Sequence, residues 1–392
     1  MSETDRQREL LGLAAGRLRE LAAGVSRSVQ ERPDCEPYNL CGAKRGTASV
    51  ALPLRDDRGV LTGLLATMTL ARGERPLEVP WDTLPAGVVA DSAVQPLAWA
   101  RTRLPVGRRG EQECVVAVWE YWVVDLGLLC ANPASVARTR STMCDQQEAL
   151  PNPITDVEGF LFAVRDVAWS ARTELGTEPG AGWQAVVLRA TGLATLACAA
   201  VLRAFHTETG QMHGDPNLAN FLVRPAAGTR GHRVRVPMPA GPVDLELALT
   251  DLECSQPGDG LYLRDFLMLA VRVVQILTPS SGRLSTIRAA HDAICADVVA
   301  CADGVLEPRP GWEEAHRRML EDPAGQFFEQ RKLIYHGLRE KPAYSGACLA
   351  EVWTVIEAVL GRLLGHLGVA FEAFDEPAAF LAHPGDELRS EL

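Results

Sequence analysis

The sequence QMHGDPNLANFLV, residues 211–223, carries the most chemical information in this chain. A His-Gly-Asp triplet ends at Asp215, and Asn220 follows five positions later, directly before the apolar run 221–223. A carboxylate and an amide oxygen are hard ligands, which suit Mg²⁺ better than softer metals. The apolar run predicts a strand that anchors the loop. A turn in which Asp215 and Asn220 only cap the backbone is the simpler alternative.

A second acidic motif follows an apolar strand predicted over 245–249. It begins with Asp251, and Glu253 lies two residues further on. A carboxylate at the end of a buried strand is costly unless a charged group pairs with it, and a metal ion is one such partner. Phosphoryl transfer needs one carboxylate that orients the acceptor hydroxyl and oxygen ligands that hold Mg²⁺. Asp215, Asn220 and Asp251 together supply one such carboxylate and two such ligands. Glu253 is either a further metal ligand or the partner of an arginine.

Both motifs resemble those of the protein-kinase-like superfamily, in which an aspartate is followed five residues later by an asparagine. The resemblance is closest to the aminoglycoside phosphotransferase and choline kinase branch. In that branch the loop begins His-Gly-Asp and the second motif is Asp-x-Glu or Asp-x-Asp, as in DLE at 251–253. The resemblance implies an α+β, bilobal protein-kinase-like fold, with a β-rich N-terminal lobe and a mainly helical C-terminal lobe.

The resemblance also implies a role for each matching residue. Asp215 corresponds to the catalytic base. The metal ligands correspond to Asn220, Asp251 and Glu253. Asp265, in the helix predicted after the second motif, corresponds to the carboxylate that braces the catalytic loop. The cofactors that follow from this resemblance are ATP and Mg²⁺.

The nucleotide-binding residues of the family match this sequence less closely. The strand predicted at 113–124 resembles the hinge strand, whose backbone around Glu120 and Trp122 would contact adenine. In this family a lysine on the third strand holds the α- and β-phosphates. The strand at that place, 64–72, contains no lysine. Arg72 at its end is one substitute, although a planar guanidinium differs from a point charge.

A second substitute precedes these strands. Lys44 lies between Gly42 and Gly46, in a pattern that loosely resembles a glycine-rich turn over phosphates, and an ordinary turn is the alternative. Lys44 is also the only lysine in the N-terminal half of the chain. The helix glutamate that would pair with such a lysine is not found where the family has it, because the proline-rich stretch 73–98 cannot hold a long helix. Glu158 in the predicted helix 155–175, or the N-terminal helix, is the alternative source.

The chain is predicted to consist of an N-terminal helical extension (1–35), a β-rich nucleotide-binding lobe (36–125) and a helical lobe with the catalytic loop and acceptor site (126–392). A loop is predicted over 226–233. Strands are predicted over 47–55, 60–72 and 113–124, and helices over 6–24, 155–175, 183–206, 262–277, 284–303, 311–339 and 346–368.

The composition narrows the class of protein. Of 392 residues 47% are hydrophobic, which permits a sizeable core, and the formal net charge of -11 argues against nucleic acid as the partner. The longest apolar stretch, 185–205, contains Arg189 and Arg203, so no membrane span is expected. The ten cysteines form no CxxC pair and no signal peptide is recognised, so a cytoplasmic location with reduced cysteines is expected.

The predicted function is transfer of the γ-phosphoryl group of ATP to an alcohol hydroxyl of a small metabolite or natural product, for which a cationic acceptor would suit the acidic chain. One alternative is a Ser/Thr kinase that acts on a peptide in natural-product biosynthesis. Another is a pseudokinase that serves as a scaffold or regulator, which the missing strand lysine favours. The expected partner is thus a small-molecule or peptide acceptor, with a homo-oligomer or a pathway partner protein left open.

Overall fold

The computed structural model of the protein describes residues 47–55, 61–71, 92–105, 111–130, 136, 154–174, 182–226, 232–236, 238, 241–258, 262–277, 334–339 and 347–366. The predicted helices at 6–24 and 284–303, and most of the one at 311–339, lie outside the described residues. The chain forms two compact units, one made of Met1–Val89 with Val94–Trp122 and the other of Ala90–Ala93 with Val123–Leu392. No helix among the described residues has the length and apolar character that crossing a membrane requires.

The first unit contains a four-stranded antiparallel sheet in the order β1-β2-β4-β3. Its strands are β1 (Thr47–Arg55), β2 (Leu61–Ala71), β3 (Ala98–Pro105) and β4 (Glu111–Glu120). Strand β4 is rich in valine, which favours an extended backbone, and Cys114–Val118 are all buried. The indole Nε1 of Trp119 donates a hydrogen bond of 2.7 Å to the hydroxyl of Thr67 on the neighbouring β2.

The structure corrects two predictions in this sheet. The strand predicted over 113–124 ends at Glu120, because the following residues leave the ladder. Strand β3 begins at Ala98, the last residue of the predicted loop 73–98, and runs through a stretch to which no strand was assigned. Its sequence AWARTRLP alternates without a strong apolar face, and β3 lies at the edge of the sheet, paired only with β4 within the described residues. An edge strand needs little apolar patterning, so the sequence signal is weak.

The second unit combines helices with a small antiparallel sheet. Its longer described helices are α1 (Val157–Glu174), α2 (Gly182–Thr209), α3 (Tyr262–Leu277) and α4 (Ala347–His366), and residues 334–339 are also helical. The sheet has the order β6-β8-β7, with β6 (Phe221–Pro225), β7 (His232–Val236) and β8 (Val243–Leu249), and a two-stranded ladder joins β5 (Gln211–Met212) to β9 (Gln256–Pro257). These four helices lie within three residues of their predicted bounds. The predicted loop 226–233 is wrong at its end, because β7 begins at His232.

Helix α2 lies at the centre of the second unit. Residues 190–206 are all buried, and the helix packs against α1, α3, β7 and β8. Three of its buried threonines are satisfied within the helix, since the hydroxyls of Thr191, Thr195 and Thr209 each donate to the carbonyl four residues earlier. A helix of this kind provides a rigid base for the loop that follows it.

The start of α1 fixes strand β6. The Asp156 carboxylate accepts a 2.8 Å hydrogen bond from the backbone N–H of Gly159, which caps the helix, and Asp156 also forms an antiparallel bridge with Leu222. Next to this bridge, the N–H of Val223 donates to the carbonyl of Thr155 at 3.0 Å. Strand β6, which follows Asn220 directly, is therefore held by β8 on one side and by the entry to α1 on the other.

Candidate active site

The loop that carries Asp215 begins where α2 ends. Gly210 has a φ of 68°, which an L side chain rarely adopts, and its N–H donates to the carbonyl of His206 at 2.9 Å. The chain then passes through the short strand β5, where Met212 pairs with Gln256. Through these contacts the long buried helix determines where the loop starts.

Asp265 on α3 holds the backbone of this loop. Its carboxylate is fully buried and accepts hydrogen bonds from the N–H of His213 at 2.6 Å and from the N–H of Gly214 at 2.9 Å, through different oxygens. The predicted bracing of the loop by Asp265 is thereby confirmed. Burial alone would raise the pKa of Asp265, but the hydrogen bond and charge of His206 and the N–H of His213 outweigh it, so the pKa lies below its ordinary value.

His206 is a participant that sequence reasoning missed. Its Nε2 lies 2.8 Å from the Asp265 carboxylate, and its buried ring is enclosed by Tyr262 and Phe266, with ring centroids 4.8 and 5.5 Å away. Since Asp265 is ionised, Nε2 is the donor in this bond. The available signal was a histidine in the last turn of a mainly apolar helix, together with an aspartate in the first turn of α3.

Gly214 is a glycine for two independent reasons. Its φ is +82°, and a Cβ at this position would collide with the backbone carbonyl oxygen of Cys254. Cys254 ends the 3₁₀ turn Leu252–Cys254, which follows Asp251 directly. The close approach thus packs the loop of Asp215 against the turn that carries the second acidic motif.

The ring of His213 joins the two motifs through hydrogen bonds. Nδ1 accepts from the backbone N–H of Asp215 at 3.3 Å, so it carries a lone pair. Nε2 therefore carries the proton and donates to the carbonyl of Thr250 at 2.9 Å. This fully buried imidazole links the residue that precedes Asp251 to the backbone of Asp215.

Both backbone groups of Thr250 are held by the loop. Its N–H donates to the carbonyl of Asn220 at 2.9 Å, and its carbonyl accepts from His213. Asp251 follows with φ 57° and ψ 61°, and it is the one residue other than glycine with a positive φ among those described. Aspartate tolerates this left-handed region better than most residues, but the conformation costs free energy and persists because its surroundings impose it.

Asn220 lies at the same end of the ladder as Asp251. Its Nδ2 donates to the carbonyl of Asp215 at 2.9 Å, which turns its amide oxygen away from that carbonyl. The next residue, Phe221, pairs with Leu249 in the β6–β8 ladder. The structure therefore brings the backbones of Asp215, Asn220 and Asp251 into one hydrogen-bonded network.

The other predicted site residues belong to the turn after Asp251, to the first unit, or to parts of the chain that are not described. Glu253 belongs to the turn Leu252–Cys254, but its side chain lies outside the described part of the structure. In the first unit, Glu120 is exposed at the end of β4 and Trp122 is buried, with 6% of its surface exposed. Gly42, Lys44, Gly46 and Arg72, the predicted phosphate-binding residues, lie outside the described residues.

The predicted metal ligands offer one amide oxygen, from Asn220, and one or two carboxylates, from Asp251 and Glu253. Among the described residues, no three His, Cys, Asp or Glu side chains are grouped to hold a metal ion. An amide and one or two carboxylates are the sparse protein ligands with which Mg²⁺ is bound when phosphate oxygens and water complete its shell. No known protein-family model matches the chain, and no curated protein matches it.

Proposed function

We propose that this chain is a phosphotransferase with a bilobal protein-kinase-like fold, which uses ATP and Mg²⁺ to phosphorylate an alcohol hydroxyl. One observation carries the proposal: Thr250 is bound by His213 through its carbonyl and by Asn220 through its N–H, at 2.9 Å in each case. These bonds join the loop of Asp215 to the residue before Asp251. The link between the loop of Asp215 and Asn220 and the residue before Asp251 supports the use of all three in phosphoryl transfer.

Each of these three residues has a defined role in the proposal. Asp215 accepts the proton of the acceptor hydroxyl and orients that hydroxyl towards the γ-phosphorus. Asn220 and Asp251 hold Mg²⁺ through their side-chain oxygens, with Glu253 as a further candidate ligand. The metal, when bound, supplies positive charge that neutralises the phosphate oxygens. Asp265 and His213 keep the loop in place without contacting the reacting atoms.

The first unit supports the nucleotide-binding part of the proposal. Strand β4 is central in its sheet, and the chain leaves this unit at Trp122, two residues after β4 ends. This agrees with a hinge whose backbone around Glu120 and Trp122 contacts adenine. The assignment rests on analogy at the level of the fold. Lys44 and Arg72 remain the two candidates for the phosphate-binding cation.

The reaction class can be tested with two conservative substitutions. We expect Mg²⁺ and ATP together to raise the melting temperature of the wild-type chain, as binding at ~100 times Kd stabilises by about 2.7 kcal/mol. Asp251→Asn should abolish the metal-dependent part of this gain. Asp215→Asn should retain it but lower phosphoryl transfer by about 10²–10⁴-fold, the usual contribution of a general base.

The matched control is Asp244→Asn, which also removes a carboxylate from β8 but at the exposed start of the strand, where Asp244 pairs with Arg235. It should leave both nucleotide binding and transfer unchanged. ADP formation and the transfer of ³²P from γ-labelled ATP are measured with aminoglycosides, choline and Ser/Thr peptides as acceptors. Labelled small molecules would support the metabolite kinase, and labelled peptides the natural-product peptide kinase.

A pseudokinase is the second candidate, and one observation favours it. Strand β2, Leu61–Ala71, carries neither lysine nor arginine along its whole length. A scaffold or regulator would bind nucleotide weakly or not at all and would transfer no phosphate to any acceptor. Little or no stabilisation by Mg²⁺ and ATP, together with no phosphate transfer to any acceptor, would favour the pseudokinase over the enzyme.

A further inference from the structure

Where β7 no longer pairs with β8, a segment that is distant in sequence pairs with β8 instead. Strand β7 pairs with β8 only from Val243 to Leu247, so it does not reach the end that carries Asp251. There the N–H of Leu249 donates to the carbonyl of Ser92 at 2.7 Å, and Ala93 bridges Leu249 in the parallel sense. Ser92 and Ala93 thus act as a short added strand at the end of β8.

Glu208 on α2 fixes this segment. Its Oε2 accepts a 2.8 Å hydrogen bond from the hydroxyl of Ser92 and a 3.4 Å contact from the N–H of the same residue. Ser92 has no exposed surface. A hydroxyl that donates to a carboxylate forms a charge-assisted bond, which is stronger than a neutral one.

The position of Glu208 in its helix indicates that the contact is not incidental. It lies one residue from the C-terminus of α2, where the helix dipole disfavours negative charge. The side chain therefore does not stabilise its own helix. Its contact with Ser92 supplies a reason for an acidic residue at this point.

A continuous series of hydrogen bonds connects α2 to the second acidic motif. The hydroxyl of Ser92 donates to Glu208, and the carbonyl of Ser92 accepts from the N–H of Leu249. Leu249 lies two residues before Asp251. On the other side of β8, His213 and Asn220 of the Asp215 loop form hydrogen bonds with the backbone of Thr250. The left-handed backbone of Asp251 is therefore supported by contacts from both sides of β8, which is the condition under which a strained residue keeps a single conformation.

We propose that Ser92 and Glu208 are positioning residues for Asp251, and that their hydrogen bond fixes the end of β8 so that the Asp251 carboxylate is preorganised to bind Mg²⁺. The inference rests on the proposed function, because it assigns a ligand role to Asp251. Neither residue touches the metal or the substrate. Outer contacts of this kind typically change metal affinity by about 10–100-fold.

The first test needs no ligand and measures amide hydrogen exchange in the full chain. Ser92→Ala and Glu208→Ala should speed exchange at Leu249 by about tenfold, because local opening of the strand end becomes easier. Glu208→Gln retains a carbonyl acceptor and should restore most of the protection. Exchange at 243–247 should not change, nor should exchange at Leu249 in the control Asp244→Asn. Unchanged exchange at Leu249 in both alanine variants would overturn the inference.

The second test measures Mg²⁺ affinity in the presence of a saturating non-hydrolysable ATP analogue. Ser92→Ala and Glu208→Ala should weaken it by about tenfold, with recovery in Glu208→Gln. Glu208 is only partly buried, so its variants keep the proposal testable if Ser92→Ala does not fold. Faster exchange with unchanged Mg²⁺ affinity would make the pair purely structural and would overturn the positioning role. Absence of Mg²⁺-dependent binding in the wild-type chain would instead overturn the proposed function, and with it the inference.

Discussion

The imidazole of His213 donates a hydrogen bond of 2.9 Å to the carbonyl of Thr250, the residue before Asp251. Through its other nitrogen the same ring accepts from the N–H of Asp215. One buried side chain therefore fixes the distance between the two acidic motifs. His213 is a structural residue that acts at the point where the two motifs meet.

Removal of this ring should destabilise the protein. In His213→Ala the carbonyl of Thr250 and the N–H of Asp215 lose their partner, and buried groups left unsatisfied cost about 1–3 kcal/mol. The free energy of unfolding, measured in urea, should fall by this amount. Arg235→Ala removes a hydrogen-bonded side chain from an exposed pair and should change stability little. Equal losses in the two variants would contradict the account.

Among the glycines at the site, Gly214 should cost the most stability when it is replaced by alanine. Gly214→Ala combines an unfavourable φ with a collision against Cys254, whereas Gly210→Ala meets only the unfavourable φ, since nothing lies within 4 Å of the added Cβ. We expect Gly210→Ala to cost about 1 kcal/mol and Gly214→Ala clearly more. Thermal or urea unfolding measures both. Equal costs would show that the loop does not press against the turn at Leu252–Cys254.

Two variants of Asp251 should separate the cost of its left-handed backbone from the role of its carboxylate. Asp251→Gly removes the steric cost of the left-handed backbone, whereas Asp251→Ala retains a Cβ and loses the polar side chain that aspartate uses there. The glycine variant should therefore be more stable than the alanine variant by about 1 kcal/mol. Both should lose Mg²⁺-dependent stabilisation by ATP. An alanine variant as stable as the glycine variant would contradict the left-handed conformation.

The brace at Asp265 should make stability depend on pH in a defined direction. Its pKa is lowered in the folded state, so its carboxylate contributes stability that is fully present above the ordinary aspartate pKa of ~3.9 and is lost as the pH falls through the lower folded value. Asp265→Asn should be less stable than wild type near neutral pH, and the difference should shrink in acid. Urea unfolding at a series of pH values checks this. A difference that stays constant down to the acid limit would contradict it.

The amphipathic helices and the motifs were predictable because each depends on local patterns. Helix α3 coincides with its predicted range, Tyr262–Leu277, since apolar residues recur along it at helical spacing. The brace by Asp265 followed from resemblance. Strand β3 and the start of β7 were not found, because a strand that alternates arginine with small or β-branched residues gives little apolar signal.

Contacts that join distant parts of the chain could not be predicted. Ser92 and Glu208 are separated by 116 positions, and neither belongs to a recognisable motif. His206 meets Asp265 only because α2 and α3 pack together. The left-handed backbone of Asp251 is likewise imposed by its surroundings, which a single sequence does not reveal. Tertiary packing, rather than local preference, determines these features.

The central claim is that Asn220 and Asp251 hold one cation next to Asp215, and paramagnetic broadening by Mn²⁺ tests it most directly. With Mn²⁺ and ADP added to deuterated, ¹⁵N-labelled full chain, the backbone amide signals of these three residues should broaden first. That of Val243, at the opposite end of β8, should remain sharp. Broadening that spares Asn220 or Asp251, or that is uniform along β8, would contradict the account.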